Sequence, residues 1–479
     1  MEQPAYEQLT VLQLRRIARE NHIKLPAGVN KADIIDRLSG APPPVPERLA
    51  NEPSQARFLE PKRPPPLPQR RGEYAPRPRR PSGYYNEEYG TSNPAVPEML
   101  AAGVCGDGGG VLELQPDGYG FLRAENCSPG QDDVYVSIAQ IRRFCMKNGD
   151  LVEGKTRPRR EGDRYSALMY VERINGSPPA EAEKRRAFDG LTPIHPNRRL
   201  TLEDPAGTNA DMAIRMLDFI APIGLGQRTL IVAPPKAGKT VLLKKIAQAV
   251  TRNQPDTHLM LLLIDERPEE VTDIRRSVAA EVVHSTFDAP PENHIRVSEL
   301  VYERAQRLVE QGRDVVVLMD SLTRLSRAYN AAAPQSGRAL SGGLAPGVLQ
   351  KPKRFFGAAR NLEEGGSLTI IATVLVETGS RMDEIIFEEF KGTGNAEIQL
   401  DRSLSEKRVF PAVDLARSGT RREELLLNQK ELESIWAIRK AMSNVGTADV
   451  TEMLINRLMQ TRANADFVST INIAFGEFR

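Results

Sequence analysis

The 479-residue chain has few cysteines, few aromatics and no excess of either charge. Its three cysteines, Cys105, Cys127 and Cys145, lie far apart and form no Cys-x-x-Cys pair. That excludes a disulfide-stapled scaffold and a cysteine-built zinc site. The three are expected to be buried small hydrophobes in a reducing compartment. Lys plus Arg number 65 against 63 Asp plus Glu, so whole-chain charge names no partner and local patches must be found. No apolar run is long enough to span a bilayer, and the start MEQPAYEQLT lacks the basic-then-apolar form of a secretion signal. The expectation is a soluble, cytoplasmic protein with no membrane contact.

What is present changes character along the chain. Residues 1–40 have the pattern of a small helical module. Thr10 and Gln13 make a capping box ahead of Leu14, Ile17 and Ala18, and Asn30 can cap a second helix bearing Ile34, Ile35 and Leu38. Residues 41–98 hold 15 of the 36 prolines, with basic pieces such as PKRPPPLPQRR. Proline without periodic apolar residues builds no core, so this stretch is predicted to be a disordered or extended insert. Its Arg and Tyr residues (Tyr74, Tyr84, Tyr85, Tyr89) suit either nucleic-acid contact or a solvated tether.

Residues 99–176 carry short alternating runs (GVLELQPDG, YGFLRAE, DDVYVSIAQ, DLVEGKT, YSALMYVERI) broken by Gly, Asp and Pro. Several short strands at this spacing predict a small β-barrel. A second linker follows, over 177–200. In 201–479 continuous apolar runs (TLIVA, HLMLLLID, DVVVLMD, SLTIIATVLVE) alternate with helical patterns such as GKTVLLKKIAQAVTRN. Runs apolar on both faces are buried parallel strands, so this region is predicted to be an α/β domain.

Within it, APPKAGKT (233–240) follows a strand and opens a helix, the setting of a phosphate loop, although Ala233 stands where the usual pattern has glycine. Gly238 lets backbone approach phosphate, and the amides at the helix start point at the anion. Lys239 can reach the β- and γ-phosphates, Thr240 can hold Mg²⁺, and Lys236 adds charge. Asp320 ends a buried strand and supplies the carboxylate for Mg²⁺. Glu266 ends the strand after the loop's helix and is the expected base for an attacking water. ATP and Mg²⁺ are the implied cofactors.

In the barrel, GYGFLR puts Tyr119 and Phe121 on one strand face with Arg123. Exposed rings flanked by Arg are a platform for unpaired bases, and Tyr135 and Tyr165 can extend it. The same rings also suit a core. Gly118 and Gly120 weigh toward close approach by a ligand.

GYGFLR, DDVYVS, APPKAGKT, IDERPEEVTD, DSLTRLSRAYN, GAARNLEEGGSLTIIATVLVETGSRMDE and FKGTGN together resemble the Rho family of bacterial transcription termination factors. The resemblance spans the chain apart from 41–98, and the phosphate loop with alanine is similar to the family's own. It implies an RNA-dependent ATPase and 5′-to-3′ helicase: a homohexameric ring acting on single-stranded nascent RNA, with RNA polymerase and elongation factors as partners. The implied fold is a multidomain α/β chain with an OB-type (cold-shock-like) barrel and a RecA-like motor with a mostly parallel sheet. By motif, Gly118, Tyr119, Gly120, Phe121, Leu122 and Arg123 would form the primary RNA site, with Asp133, Val134 and Tyr135 and with Asp163, Arg164 and Tyr165. Gly224, Leu225, Gly226, Gln227, Arg228 and Thr229 would contact ATP, as would Lys236, Ala237, Gly238, Lys239, Thr240, Val241 and Arg267. Phe410 would pack on adenine. Arg338 in SGRALSGG and Arg381 in ETGSR would touch RNA in the ring's channel. Arg421 would be an arginine finger reaching a neighbour's ATP, catalytic beside Glu266 and Lys239. A rotary ATP synthase-like ring subunit, indifferent to RNA, is the alternative. A passive RNA-binding protein with a dead motor is a third reading, opposed by the intact Lys239, Thr240, Glu266 and Asp320.

Overall fold

The structure, a computed structural model, describes residues 101–474 except 125, 160, 161, 205, 208–210, 335–340 and 443–446, together with 17, 18, 35, 38, 98 and 99. The chain parts into two compact units, Met1–Pro78 and Arg79–Arg479. In the first, Ile17, Ala18, Ile35 and Leu38 are helical, with Ala18 and Leu38 buried. The rest of the expected helical module, and the proline-rich insert up to residue 97 with its tyrosines, lie outside the described residues, as does Arg338.

In the second unit, five strands close a barrel: β1 (Gly106–Leu114), β2 (Gly120–Arg123), β3 (Val134–Val136), β4 (Leu151–Arg157) and β5 (Ser166–Ile174), in the order β1-β2-β3-β5-β4. Alternation explains it: Leu112, Leu122, Val134, Val136, Val152 and Leu168 point inward as one core. Helix α1 (Ile138–Arg143) joins β3 to β4 and starts at a capping box made by Ser137 and Gln140.

The stretch 177–200 is built into the structure rather than strung loosely between domains. It carries helix α2 (Pro179–Lys184); the Arg185 side chain lies between Asp150 of the barrel and Glu310 of the motor, and Phe188 is buried with its amide on Glu310. Strand β6 (Pro193–Ile194) then pairs in the motor's sheet.

That sheet has nine strands among the described residues. Its main path runs β14 (Val413–Thr420), β13 (Ala396–Leu400), β7 (Arg228–Ala233), β12 (Ser367–Leu375), β10 (Asp314–Asp320), β8 (His258–Glu266) and β9 (Glu281–Thr286). β11 (Arg360–Leu362) pairs antiparallel with β12 and β6. From β13 to β9 the path is parallel, and β14 is antiparallel to β13. Helix α3 (Met212–Ile220) precedes β7, and α4 (Lys239–Asn253) follows it. Next come α5 (Pro268–Ser277), α6 (Pro291–Val309), α7 (Leu322–Ala331), α8 (Gln350–Gly357) and α9 (Arg381–Lys391). In β8, Leu259, Leu261 and Leu263 enter one core with Leu242 and Ile246 of α4. Met260, Leu262 and Ile264 enter the other with Val297 and Val301 of α6. A strand with period two and apolar on both sides must be covered on both sides, and these helices do it.

The cysteines part ways with expectation. Cys127 is buried, but Cys145 is exposed and Cys105 half-buried. No helix among the described residues is long and apolar enough to cross a membrane.

Candidate functional site

The phosphate loop leaves the carboxyl end of β7. Ala233 ends that strand fully buried, and the left-handed backbone positions fall at Lys236 (φ 66°) and Gly238 (φ 88°). Alanine at 233 therefore costs no backbone strain. Gly238 begins α4, and the space a side chain would fill there is open.

Three sequence-distant groups meet behind the loop. Lys239 Nζ lies 2.5 Å from Asp320 Oδ1 and 3.9 Å from Glu266 Oε2. Thr373 also donates to Asp320 Oδ1, at 2.8 Å. Asp320 Oδ2 and Glu266 Oε2 are buried with no hydrogen-bond partner. Burial and the nearby Asp320 charge push the Glu266 carboxyl above its ordinary range, while Lys239 and Arg324 oppose the rise. Thr240 donates to Glu270 at 3.3 Å, in the first turn of α5. Glu270 and Arg324 escaped the sequence reading. The signal for each was its place four residues past Glu266 and Asp320, in the first turn of the next helix.

A cleft of about 740 Å³ runs over these groups, lined among others by Lys236, Thr240, Arg267 and Arg324. It continues at Gly238 and Val241 into a mainly apolar slot of about 310 Å³, lined also by Ala237, Met212 and Phe410. Phe410 and Val241 are 50% and 59% exposed, unusual for apolar side chains and suited to a flat ring between them.

Gly224 to Thr229 do not join this cleft. They lead into β7, whose first two residues are Arg228 and Thr229, at the opposite end of that strand from the loop. Their polar groups are used within the chain: Gln227 donates to Asn395 at 2.8 and 3.0 Å, and Arg228 to Thr393 and Ala359. Arg421 is at this same end, exposed, its amide bonded to Asn395 O at 2.9 Å. Burial, then the Arg360 and Arg421 charges, depress the pKa of Arg228.

On the barrel, four rings form one surface. Tyr119 lies 5.7 Å from both Phe121 and Tyr135, and Phe121 lies 4.8 Å from Tyr165. Tyr135 is exposed, and Arg164 sits 5.4 Å from the Tyr165 ring. Leu122 and Val134, by contrast, are barrel core. Arg123 is buried, 5.0 Å from the Phe121 ring, bonded to Glu113 at 2.6 Å and to Asp133. One Asp133 oxygen is left unpartnered. Gly118 turns the chain at φ 92°. Gly120 serves packing rather than ligand approach, because a side chain there would meet Leu112 at 2.6 Å. Asp163 is tied to Arg157 at 2.8 Å.

Arg381 is exposed at the start of α9. A side chain added at Gly342, within the described part (341–343) of SGRALSGG, would come within 3.4 Å of the Arg381 carbonyl oxygen.

Two family models match. The Rho termination factor RNA-binding domain matches residues 108–180, and the nucleotide-binding domain of the ATP synthase alpha/beta family matches 213–420. Transcription termination factor Rho of Bacillus subtilis (strain 168) is 57% identical over 364 residues, covering 76% of this chain and 84% of that protein. Transcription termination factor Rho of Escherichia coli (strain K12) is 56% identical over 362 residues, covering 75% and 86%. Among solved structures, the assembled type III secretion ATPase EscN of enteropathogenic E. coli aligns with a TM-score of 0.50 at 22% identity, covering 67% of this chain and 79% of that one, a likeness of fold.

Proposed function

The chain belongs to the transcription termination factor Rho family, and from that premise we propose that it is an RNA-stimulated ATPase that works as a homohexameric ring and moves along RNA as a 5′-to-3′ helicase. It is an RNA-binding termination factor on an ATPase fold. The observation that carries the finer reading is the split of the ATPase site. Lys239, Glu266 and Asp320 converge at one end of the sheet, while Arg421 stands exposed at the other. An arginine finger so placed serves only a neighbouring copy's nucleotide.

In this reading Phe410 and Val241 grip adenine, and Lys239 leaves Asp320 for the phosphates. Glu266 accepts a proton from the attacking water. Thr240 and the unpartnered oxygen of Asp320 fit Mg²⁺, a hard ion that prefers oxygen ligands. Among the described residues no cluster of three or more His, Cys, Asp or Glu suits a metal by itself, so the ion would arrive on the nucleotide. Bound, it would neutralise phosphate charge.

The order and single helix of the barrel, β1-β2-β3-α1-β4-β5, are those of an OB-type barrel, and its four rings would stack unpaired bases at roughly 1–3 kcal/mol each. Arg381, with Arg338, would meet RNA in the channel. RNA polymerase is the partner that termination implies, and the cytoplasm is where both would work.

The test is the ATPase rate with and without poly(C). The expected result is strong stimulation by RNA. A rate indifferent to RNA would instead favour the synthase-like reading.

A further inference from the structure

The barrel is fastened to the motor beside the strand that carries Glu266, and the fastening begins directly beneath the RNA platform. Glu113 Oε2 accepts from two guanidiniums. One is Arg123 of the barrel, at 2.6 Å; the other is Arg296 of α6, at 3.2 Å. Arg296 also donates to Cys127 O at 2.7 Å and to Asn293 at 3.1 Å. Next to it, the Asn126 side chain takes the place of a neighbouring strand on β9, the sheet's edge. Its Nδ2 donates to His284 O at 2.8 Å, and its Oδ1 accepts from His284 N–H at 2.7 Å.

Asn126 and Cys127 are consecutive left-handed residues, at φ 49° and 52°. Asn tolerates this conformation, but cysteine there is strained, and such strain persists where surrounding structure demands it. The turn it makes is what aims the Asn126 amide and the Cys127 carbonyl at the motor together. β9 pairs with β8, and just past its end Phe287 N–H donates to Glu266 O at 3.2 Å. The Asn126 clasp sits three residues before Phe287.

We propose that Arg296 and Asn126 are positioning residues for ATP hydrolysis: with Glu113 they lock the RNA platform to α6 and β9, so that RNA on the barrel adjusts the backbone that holds Glu266. The inference rests on the reading above, that the rings bind RNA and Glu266 is the base. The physical link is competition for one carboxylate. An RNA strand stacking on Phe121 or drawing on Arg123 changes the share of Glu113 left to Arg296, and with it the hold on Asn293, which donates to Ser285 of β9 at 2.8 Å.

The experiment compares full-length parent, Arg296→Gln, Arg296→Lys and Asn126→Ala chains. It reads poly(C) affinity, ATP affinity without RNA, and the ATPase rate at saturating poly(C). Asn126→Ala removes both β9 hydrogen bonds and leaves Glu113, Arg123 and Arg296 themselves unaltered, so it tests the fastening by a second route. For Arg296→Gln and Asn126→Ala the expected result is both affinities within about twofold of the parent and a saturated rate lower by roughly 2- to 30-fold. Arg296→Lys, which keeps a charge for Glu113, is expected to recover part of the rate. Saturated rates within twofold of the parent in both variants overturn the inference. So does a loss matched by weaker ATP binding without RNA, which marks general damage. A parent rate indifferent to poly(C) overturns the functional reading, and the inference with it.

Discussion

Glu266 is placed between opposing influences. Burial and Asp320 raise its pKa, and Lys239 and Arg324 restrain the rise. On the proposed reading Glu266 is the base, and a base must be deprotonated to work, so activity is lost as pH falls through a raised pKa. The acid limb of kcat/KM in saturating RNA is therefore expected above the ordinary carboxylate value of about 4.3. Arg324→Gln removes a charge that favours the ionised form, at 3.6 Å, so it should move that limb to still higher pH. A limb unmoved or shifted down would contradict this placement. The carboxylates themselves were legible because each ends an apolar run, and such strands gather ligands at their carboxyl ends. Whether Arg123 was free or paired was not legible. Only the fold brings Glu113 and Asp133 to it.

At the scale of elements, β9 shows how an edge strand is held. Glu281 at its start accepts from His258 of β8 at 2.8 Å and Arg304 of α6 at 2.6 Å. Burial alone would raise its pKa; the His258 and Arg304 bonds outweigh that and bring it from 4.5 to about 2. A depressed folded pKa gives stability that is present above the unfolded value and is lost as pH falls toward the folded one. Glu281→Gln should thus cost roughly 2 kcal/mol of unfolding free energy near pH 7 and little near pH 2, measured by urea unfolding. A cost independent of pH would show that the charge is not what matters. The sequence reading did not find β9, β13 or β14. EVVHST, AEIQL and VDLARSGT mix polar residues into their runs, because half-buried and edge strands need no continuous apolar pattern.

For the whole molecule, the proposed reading gives the two ends of the sheet different halves of one reaction. Lys239→Ala and Arg421→Ala chains should each be inactive alone. Mixed in one ring, some interfaces would pair an intact phosphate loop with an intact finger. Partial recovery of RNA-stimulated ATPase is expected in such rings. No recovery, in rings verified to contain both chains, would argue against a shared site. The arrangement also explains GLGQRT. At the amino end of β7 it braces the Asn395 segment, whose backbone carbonyl accepts from the Arg421 amide.

The sequence by itself determined the local elements and the chemistry they carry. Apolar runs of strand length, a loop ending in Gly-Lys-Thr and ring residues two apart are short-range patterns, and backbone geometry converts them directly into strands, a phosphate cradle and a platform. Only the tertiary structure decided which groups meet. Asn126 and His284 are 158 residues apart in sequence yet share two hydrogen bonds, and Lys239 reaches Asp320 across 81 residues. Such meetings depend on strand order and on how the barrel docks, and no local period records either one.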